Sequence, residues 1–424
     1  MRFNGLWRHG DFLRLWAGQT VSVFGSLVGG LALDFTAVIW LGATPLQISI
    51  LAACRLLPGF AVGLPVGAWV DRLHRRPILI AADAGRAFAL FSVPLAAVFD
   101  WLTIEQLYLV ALTTSALGIF FDTAYEAYLP TLVERHELVE GNSKLAATAS
   151  ISEVGAFGVS GWLVQLFSGP GALLVDATSF VVSALSVWRI RSPEPRPAPV
   201  EDRQHLLREV QEGLRLVRSN RVLSTIAITN AIASFSNQVV GVTILLYLNR
   251  EVGFSPGMLG MIFAVGGMTS LAGTAVAGKL SWFGGLGPAL VIAALIRGVG
   301  LLFLPLTVSV SLVGVVLLVM SQVVTDPAWT FYDINVMSLR QAITPDRLLG
   351  RMNASMRFLD LGGMLAGAFA GGLLGESIGL RETLFVAVAV RTIPVLWLFF
   401  SPIAHLKVMP VQPASGPGSE ASQR

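Results

Sequence analysis

Residues 288–308 read PALVIAALIRGVGLLFLPLTV: twenty-one residues, one arginine and no other charge. At about 1.5 Å per residue a helix of this length covers roughly 31 Å, the thickness of a bilayer's hydrocarbon core. Residues 77–99, PILIAADAGRAFALFSVPLAAVF, carry the same punctuation. Pro77 falls on Pro288, Arg86 on Arg297 and Pro94 on Pro305, always 211 residues apart. The same offset places Pro45 on Pro256, Gly67 on Gly278, Asp122 on Asp333, Leu138 on Leu349, Asn142 on Asn353 and Gly161 on Gly372. One fixed offset over so many uncommon residues marks an internal duplication.

Runs long enough to cross a bilayer lie near 14–40, 46–70, 77–99, 103–129, 145–167, 171–190, 222–248, 255–280, 288–308, 311–338, 353–375 and 382–402. Twelve spans divided by a 211-residue repeat give six per unit. The expected fold is therefore all-α and integral to the membrane, two pseudo-symmetric six-helix bundles related by an axis along the membrane normal. The bundles are 1–190 and 222–407, joined by a linker at 191–221, with a Pro-, Ser- and Gly-rich tail at 408–424 expected to be disordered. Within the linker, Leu206, Leu207, Val210, Leu214 and Val217 keep helical spacing, so an amphipathic helix on the membrane surface is expected there.

Composition agrees. Only 13% of residues are charged and 54% are apolar, more apolar surface than a soluble fold of 424 residues can hide. A net charge of +3 gives no reason to expect nucleic acid as a partner. The single cysteine, Cys54, excludes an internal disulfide and a cysteine-based zinc cluster. Five scattered histidines give no metal site. Gly273-x4-Gly278-Lys279 starts like a phosphate-binding loop, but Leu280 follows within an apolar run, so neither that loop nor ATP-driven pumping is expected. The N-terminus lacks a cleavable signal pattern.

Basic residues set the orientation. One side of the twelve spans carries Arg2, Arg8, Arg14, Arg72, Arg75, Arg76, Arg135, Lys144, the arginine-rich 189–221 segment, Lys279, Arg340, Arg347, Arg351 and Lys407. The other has Arg250 and Arg381 in its loops. A plasma-membrane protein with both termini in the cytoplasm is expected, its neighbours being lipid and a small-molecule substrate.

Ionisable residues inside spans are functional candidates because each costs a few kcal/mol or more to place there. The duplication sorts them. Arg86 and Asp122 recur as Arg297 and Asp333, so these read as structural ion pairs, one per bundle. Asp34 and Arg55 do not recur, facing Leu245 and Gly266 across the repeat. Their depths match, about 10 and 13 Å from the same end of spans 1 and 2. They read either as a static pair or as a proton switch, ionised when paired and protonated when apart. Glu126, one turn beyond Asp122, and Glu153 are further unrepeated proton-coupling candidates. Glu126 also reads as an interfacial side chain. Asp326, opposite Ser115, is a substrate-cavity candidate together with Asp34. Gly362, Gly363, Gly367, Gly371 and Gly372 form a stripe for close helix contact.

The loop Gly67-Ala-Trp-Val-Asp71-Arg72-Leu-His-Arg75-Arg76-Pro77 resembles the signature G-x-L-x-D-R-x-G-R-[RK] of the major facilitator superfamily, with His74 in place of the second glycine. Asp11–Gln19 (DFLRLWAGQ), Ala124–Pro130 (AYEAYLP) and Thr344–Ser355 (TPDRLLGRMNAS) resemble its macrolide-efflux and siderophore-exporter branch, the transmembrane secretion effectors. The resemblance implies alternating access between two six-helix halves, with spans 1, 4, 7 and 10 lining a cavity. It also implies proton-driven export of amphipathic compounds, with no cofactor beyond the proton gradient and a monomeric chain. It further implies that Gly67, Asp71, Arg72, Arg75 and Arg76 form a latch, for which Arg357 and Asp360 of span 11 are plausible partners. An uptake permease shares the same pattern. A membrane-embedded enzyme would need a clustered motif that the sequence lacks, and a transport-dead sensor would need an added domain.

Overall fold

In the computed structural model, residues 5–70, 72–194, 206–279 and 283–410 are described. Ten of their helices are long and apolar enough to cross a membrane. Two further crossings complete twelve. The 51-residue helix Leu138–Trp188 breaks at Ser168 (φ 66°) and crosses twice, and Pro45–Val70 supplies the other. The break follows from the sequence. Gly169 sits against span 1, where a Cβ would lie 2.8 Å from the Thr36 backbone nitrogen, and Pro170 cannot donate a backbone hydrogen bond.

The spans are Gly10–Trp40, Pro45–Val70, Arg75–Val98, Ile104–Leu132, 138–167, 169–188, Arg221–Val252, Pro256–Val276, Leu286–Leu306, Leu312–Ile343, Leu349–Ser377 and Leu380–Phe399. Polar residues start several of them. Thr103, Ser255 and Ser311 each accept a hydrogen bond from the backbone N–H three residues on, and Asn220 accepts from Val222 and Leu223. An even number of spans leaves both ends of the described chain on one face, called here the terminal face. The opposite one is the far face.

The duplication is visible in backbone detail. Spans 1 and 7 each end in a π-turn, Thr36–Trp40 and Tyr247–Val252, whose first residues are 211 apart. It is visible again where the halves meet, at spans 5 and 8 and at spans 2 and 11. A Cβ on Gly161 would lie 2.3 Å from Pro256 O and 2.9 Å from Gly260 Cα. A Cβ on Gly372 would lie 2.5 Å from Ser49 Oγ and 3.1 Å from Leu46 Cα. Gly372 is the repeat of Gly161 and Gly260 that of Ser49, so one close contact is made twice.

Both contacts seal the far face, with Arg250 donating to Val38 O at 2.5 Å and the Leu46 N–H to Glu376 Oε1 at 3.3 Å. Among the described residues every hydrogen bond that joins the two bundles lies on the far face, and toward the terminal face Val139 and Ile151 of span 5 are 77% and 74% exposed. The molecule is closed on the far face and open on the terminal one.

The linker helix Leu206–Ser219 departs from expectation. Val217 is buried with Met352 and Met356, Gly213 packs on Arg351 and Ser355, and Glu212 pairs with Arg351. Among its described side chains, part of the apolar stripe is thus covered by span 11 rather than by lipid. The Pro-rich start of the linker beyond Glu194 and the tail from 411 lie outside the described residues.

Candidate functional site

Arg55 and Asp34 meet in a two-point ion pair, Nη2 to Oδ1 at 2.8 Å and Nη1 to Oδ2 at 3.1 Å. Arg55 Nη2 also donates to Gly30 O at 3.3 Å, and Ser115 Oγ of span 4 donates to Arg55 O at 2.6 Å. Both side chains are about a third exposed, 32% and 30%. The pair thus ties spans 1, 2 and 4 at a point that water reaches.

One helical turn nearer the terminal face, a cavity of about 560 Å³ opens between the halves. Gly59 and Phe60 of span 2, Asp122, Tyr125 and Glu126 of span 4, and Asn353, Arg357 and Phe358 of span 11 line it. Its walls come from spans 2, 4 and 11, not from 1, 4, 7 and 10, because spans 2 and 11 are one of the two pairs that meet between halves. Phe60 stacks on Phe358 at 4.6 Å. Asp122 and Glu126 share one wall, and Arg357 faces them from the other half.

Asp326 and Glu153 are not among the residues lining this cavity. Asp326 packs on Gly266 of span 8, where a Cβ would lie 2.3 Å from its Oδ2. Gly266 is the repeat of Arg55, and Asp326 that of Ser115, so this is the same junction with its charge moved from one helix to the other. Glu153 is exposed on span 5, one turn before Phe157, whose carbonyl oxygen abuts Gly260.

The expected structural pairs are repartnered. Arg86 bonds Asp83, three residues earlier on its own helix, and its guanidinium lies over Phe121 and Phe180 at 4.4 and 4.1 Å. Asp122 points into the cleft instead. One turn of helix puts Asp83 beside Arg86 with no inter-helix reach required. In the second half Asp333 is exposed, and Arg297, 6% exposed, has no carboxylate at ion-pairing distance among the described residues. Its guanidinium lies 5.3 Å over the Tyr332 ring. Asp83 has no counterpart there, because position 294 is alanine.

The loop between spans 2 and 3 has a different partner from the one expected. Glu194, just past span 6, accepts from the backbone N–H of Arg75 at 2.5 Å and of Arg76 at 3.2 Å, and lies 3.8 Å from both the Arg75 guanidinium and His74 Nδ1. Arg76 donates to Trp188 O at 2.5 Å. A carboxylate at a helix N-terminus satisfies unpaired N–H groups and the helix dipole together. Arg72 is exposed, and Gly67 has open space where a Cβ would go. His74 sits at φ −66°, so the missing glycine is absorbed without strain. Arg357 lines the cavity, and Asp360 lies in the field of Arg340 and Asp333 of span 10. Neither is paired with a described residue of the loop. Asp71 lies outside the described residues.

Three buried ionisable groups escaped the sequence reading. Asp83 is fully buried, Asp176 is 5% exposed beneath Gly29 with Ser26 and Ser179 hydroxyls at 3.4 Å, and Arg391 donates to Ala233 O and Asn237 Oδ1. Their repeat positions hold Ala294, Ala387 and Phe180, so the same test for unrepeated charges finds all three.

Known proteins share this architecture. The multidrug efflux pump Tap of Mycolicibacterium fortuitum is 27% identical over 379 residues, 85% of this chain and 90% of that one. Macrolide efflux protein A of Streptococcus pyogenes is 25% identical over 260 residues, 58% of this chain and 64% of that one. A bacterial homologue of the iron transporter ferroportin, solved inward-facing, superposes with a TM-score of 0.75 at 18% identity, covering 93% of this chain and 99% of that one. A bacterial homologue of the same transporter solved outward-facing superposes at 0.55 and 19% identity, covering 92% and 98%. A sequence profile matches residues 15–337, most of the spans placed above, and by that match the chain belongs to the Major Facilitator Superfamily.

Proposed function

We propose that this chain is a proton-coupled exporter of small amphipathic compounds, macrolide-like or siderophore-like in character, working by alternating access. The observation that carries the reading is the cavity between the halves. Its volume of about 560 Å³ suits a drug-sized molecule, and aromatic and charged groups line it together. The efflux names of its relatives support export as the direction. The excess of arginine and lysine on the terminal face supports a cytoplasmic location for both termini, so the open cleft takes substrate from the cytoplasm.

Asp34 and Arg55 are the proposed switch. Paired, Asp34 is ionised and ties span 1 to span 2. Protonated, it releases Arg55, and the turn of span 2 that leads into the cavity is freed to move. Glu126, Glu153 and Asp326 are secondary proton or substrate sites. The Arg72–Arg76 loop with Asp71 is a latch for the outward-facing state, engaging span 11 when the terminal face closes. The working unit is a monomer in the plasma membrane, with no cofactor beyond the proton gradient.

Reconstitution into proteoliposomes with an imposed pH gradient tests the reading. Asp34→Asn is expected to abolish proton-driven transport and to retain substrate counterflow, since the cavity is untouched. Full proton-driven transport in that variant overturns the assignment. Accumulation against the expected direction makes the protein an uptake permease.

A further inference from the structure

The cavity carries an unusual balance of unspent charge. Asp122 and Glu126 stand on span 4, one turn apart, and both are exposed to the cleft. Arg357 stands opposite on span 11, also exposed, and near enough to exert its field on Asp122. Among the described residues none of the three side chains makes an ion pair or accepts or donates a hydrogen bond, although other charges of this chain do so readily. The Tyr125 hydroxyl, beside them in the same lining, is buried and without a hydrogen-bond partner. Asn353 adds an exposed amide on the Arg357 side. Between the charges lie Phe60, Ile119, Phe358 and Leu361.

We infer that the cavity selects amphipathic zwitterions: compounds with an ammonium group, an anionic group and an apolar body. This rests on reading the cleft as the transport cavity. The ammonium meets Asp122 and Glu126, the anion meets Arg357, and the apolar body lies on the stacked Phe60 and Phe358. A plain cation is held by the carboxylates of span 4 and offers nothing to Arg357 on the other half. A plain anion does the reverse and faces two carboxylates. A zwitterion engages charges on both halves at once and so draws them together, which is what a substrate must do to drive closure.

Three fluorescent probes isolate the charge requirement. Nε-dansyl-lysine is a zwitterion with an apolar ring system, its methyl ester is a cation, and its Nα-acetyl derivative is an anion. Titration against the purified full chain in detergent needs no gradient, so binding is read independently of transport. The zwitterion is expected to bind about tenfold or more tightly than either derivative, the worth of one charge-assisted hydrogen bond. Arg357→Gln is expected to erase its advantage over the ester, and the double variant Asp122→Asn, Glu126→Gln its advantage over the acetyl derivative. Equal binding of ester and zwitterion, an unchanged preference in Arg357→Gln, or no binding of any probe overturns the inference. Preferential binding without gradient-driven movement instead sinks the transport reading and leaves this one standing. Transport without zwitterion preference does the opposite.

Discussion

Gly161→Val should push the molecule toward the state open on the far face. A Cβ on Gly161 meets Pro256 O at 2.3 Å, whereas ordinary contacts begin at 3.4 Å, so spans 5 and 8 must separate by about 1.1 Å there. The obstructing atoms are backbone and cannot rotate away. All three of them belong to span 8, in the other half. The strain therefore exists only while the far face is closed and vanishes when it opens. Overpacking of this kind costs about 1–3 kcal/mol. Placed on a two-state equilibrium, that is a shift of roughly 5- to 150-fold toward far-face opening. Gly372→Val should act in the same direction through Ser49 and Leu46.

Nitroxide labels on Asp100 and Val308, in the turns after spans 3 and 9, read the far face in a Cys54→Ala background. Labels on Glu134 and Arg347 read the terminal face. Electron-resonance distance distributions in Gly161→Val should lengthen for the first pair and shorten for the second. Gly118→Val, on a glycine with open space around it, is the control and should change neither. Folded Gly161→Val protein with both distributions unchanged would refute the claim that this contact belongs to one state of the cycle.

Three shorter predictions use contacts within or beside the halves. Glu194→Ala uncaps span 3 and should lower its stability by about 0.5–2 kcal/mol, seen as a lower thermal midpoint that Glu194→Asp partly restores; a midpoint that does not move sinks the capping role. Gly213→Leu cannot fit against Arg351 O, 2.4 Å from an added Cβ, so the linker helix should lift from span 11. Trypsin should then cut faster at exposed Arg215 and Arg218, and an unchanged rate would mean the contact does not hold the helix. Asp83→Asn strands Arg86 and should cost about 3–5 kcal/mol, whereas Asp176→Asn removes a buried charge with no cation bonded to it and should cost far less; equal losses of thermal midpoint contradict this reading.

Twelve crossings were legible because each must be apolar over about 20 residues, and the repeat confirmed them without hydropathy. The Asp34–Arg55 meeting was legible because both positions are unrepeated and equally deep. The partner of Arg86 was not, for a physical reason. Depth along two helices says which residues share a level, but only rotation about each axis says which face each other. Asp122 has the right depth and the wrong rotation: it turns into the cleft, while Asp83 needs no inter-helix geometry at all. Glu194 was hidden for another reason. It caps span 3 from 118 residues away in sequence, and nothing local to either segment announces that meeting.

The two halves share a backbone but not a charge pattern, and their difference centres on one junction. Where span 2 meets span 4, the first half places Arg55 beside Ser115; where span 8 meets span 10, the second places Gly266 beside Asp326. A cation on span 2 of one half is replaced by an anion on span 10 of the other. Two identical junctions would respond to a proton together. On the proposed reading, protonation of Asp34 frees Arg55 and loosens the first half, while the second half has Leu245 and Gly266 at those positions and no such pair to release. Removing the second half's charge with Asp326→Ser should therefore alter substrate handling while sparing the proton response, and Asp34→Asn should do the reverse.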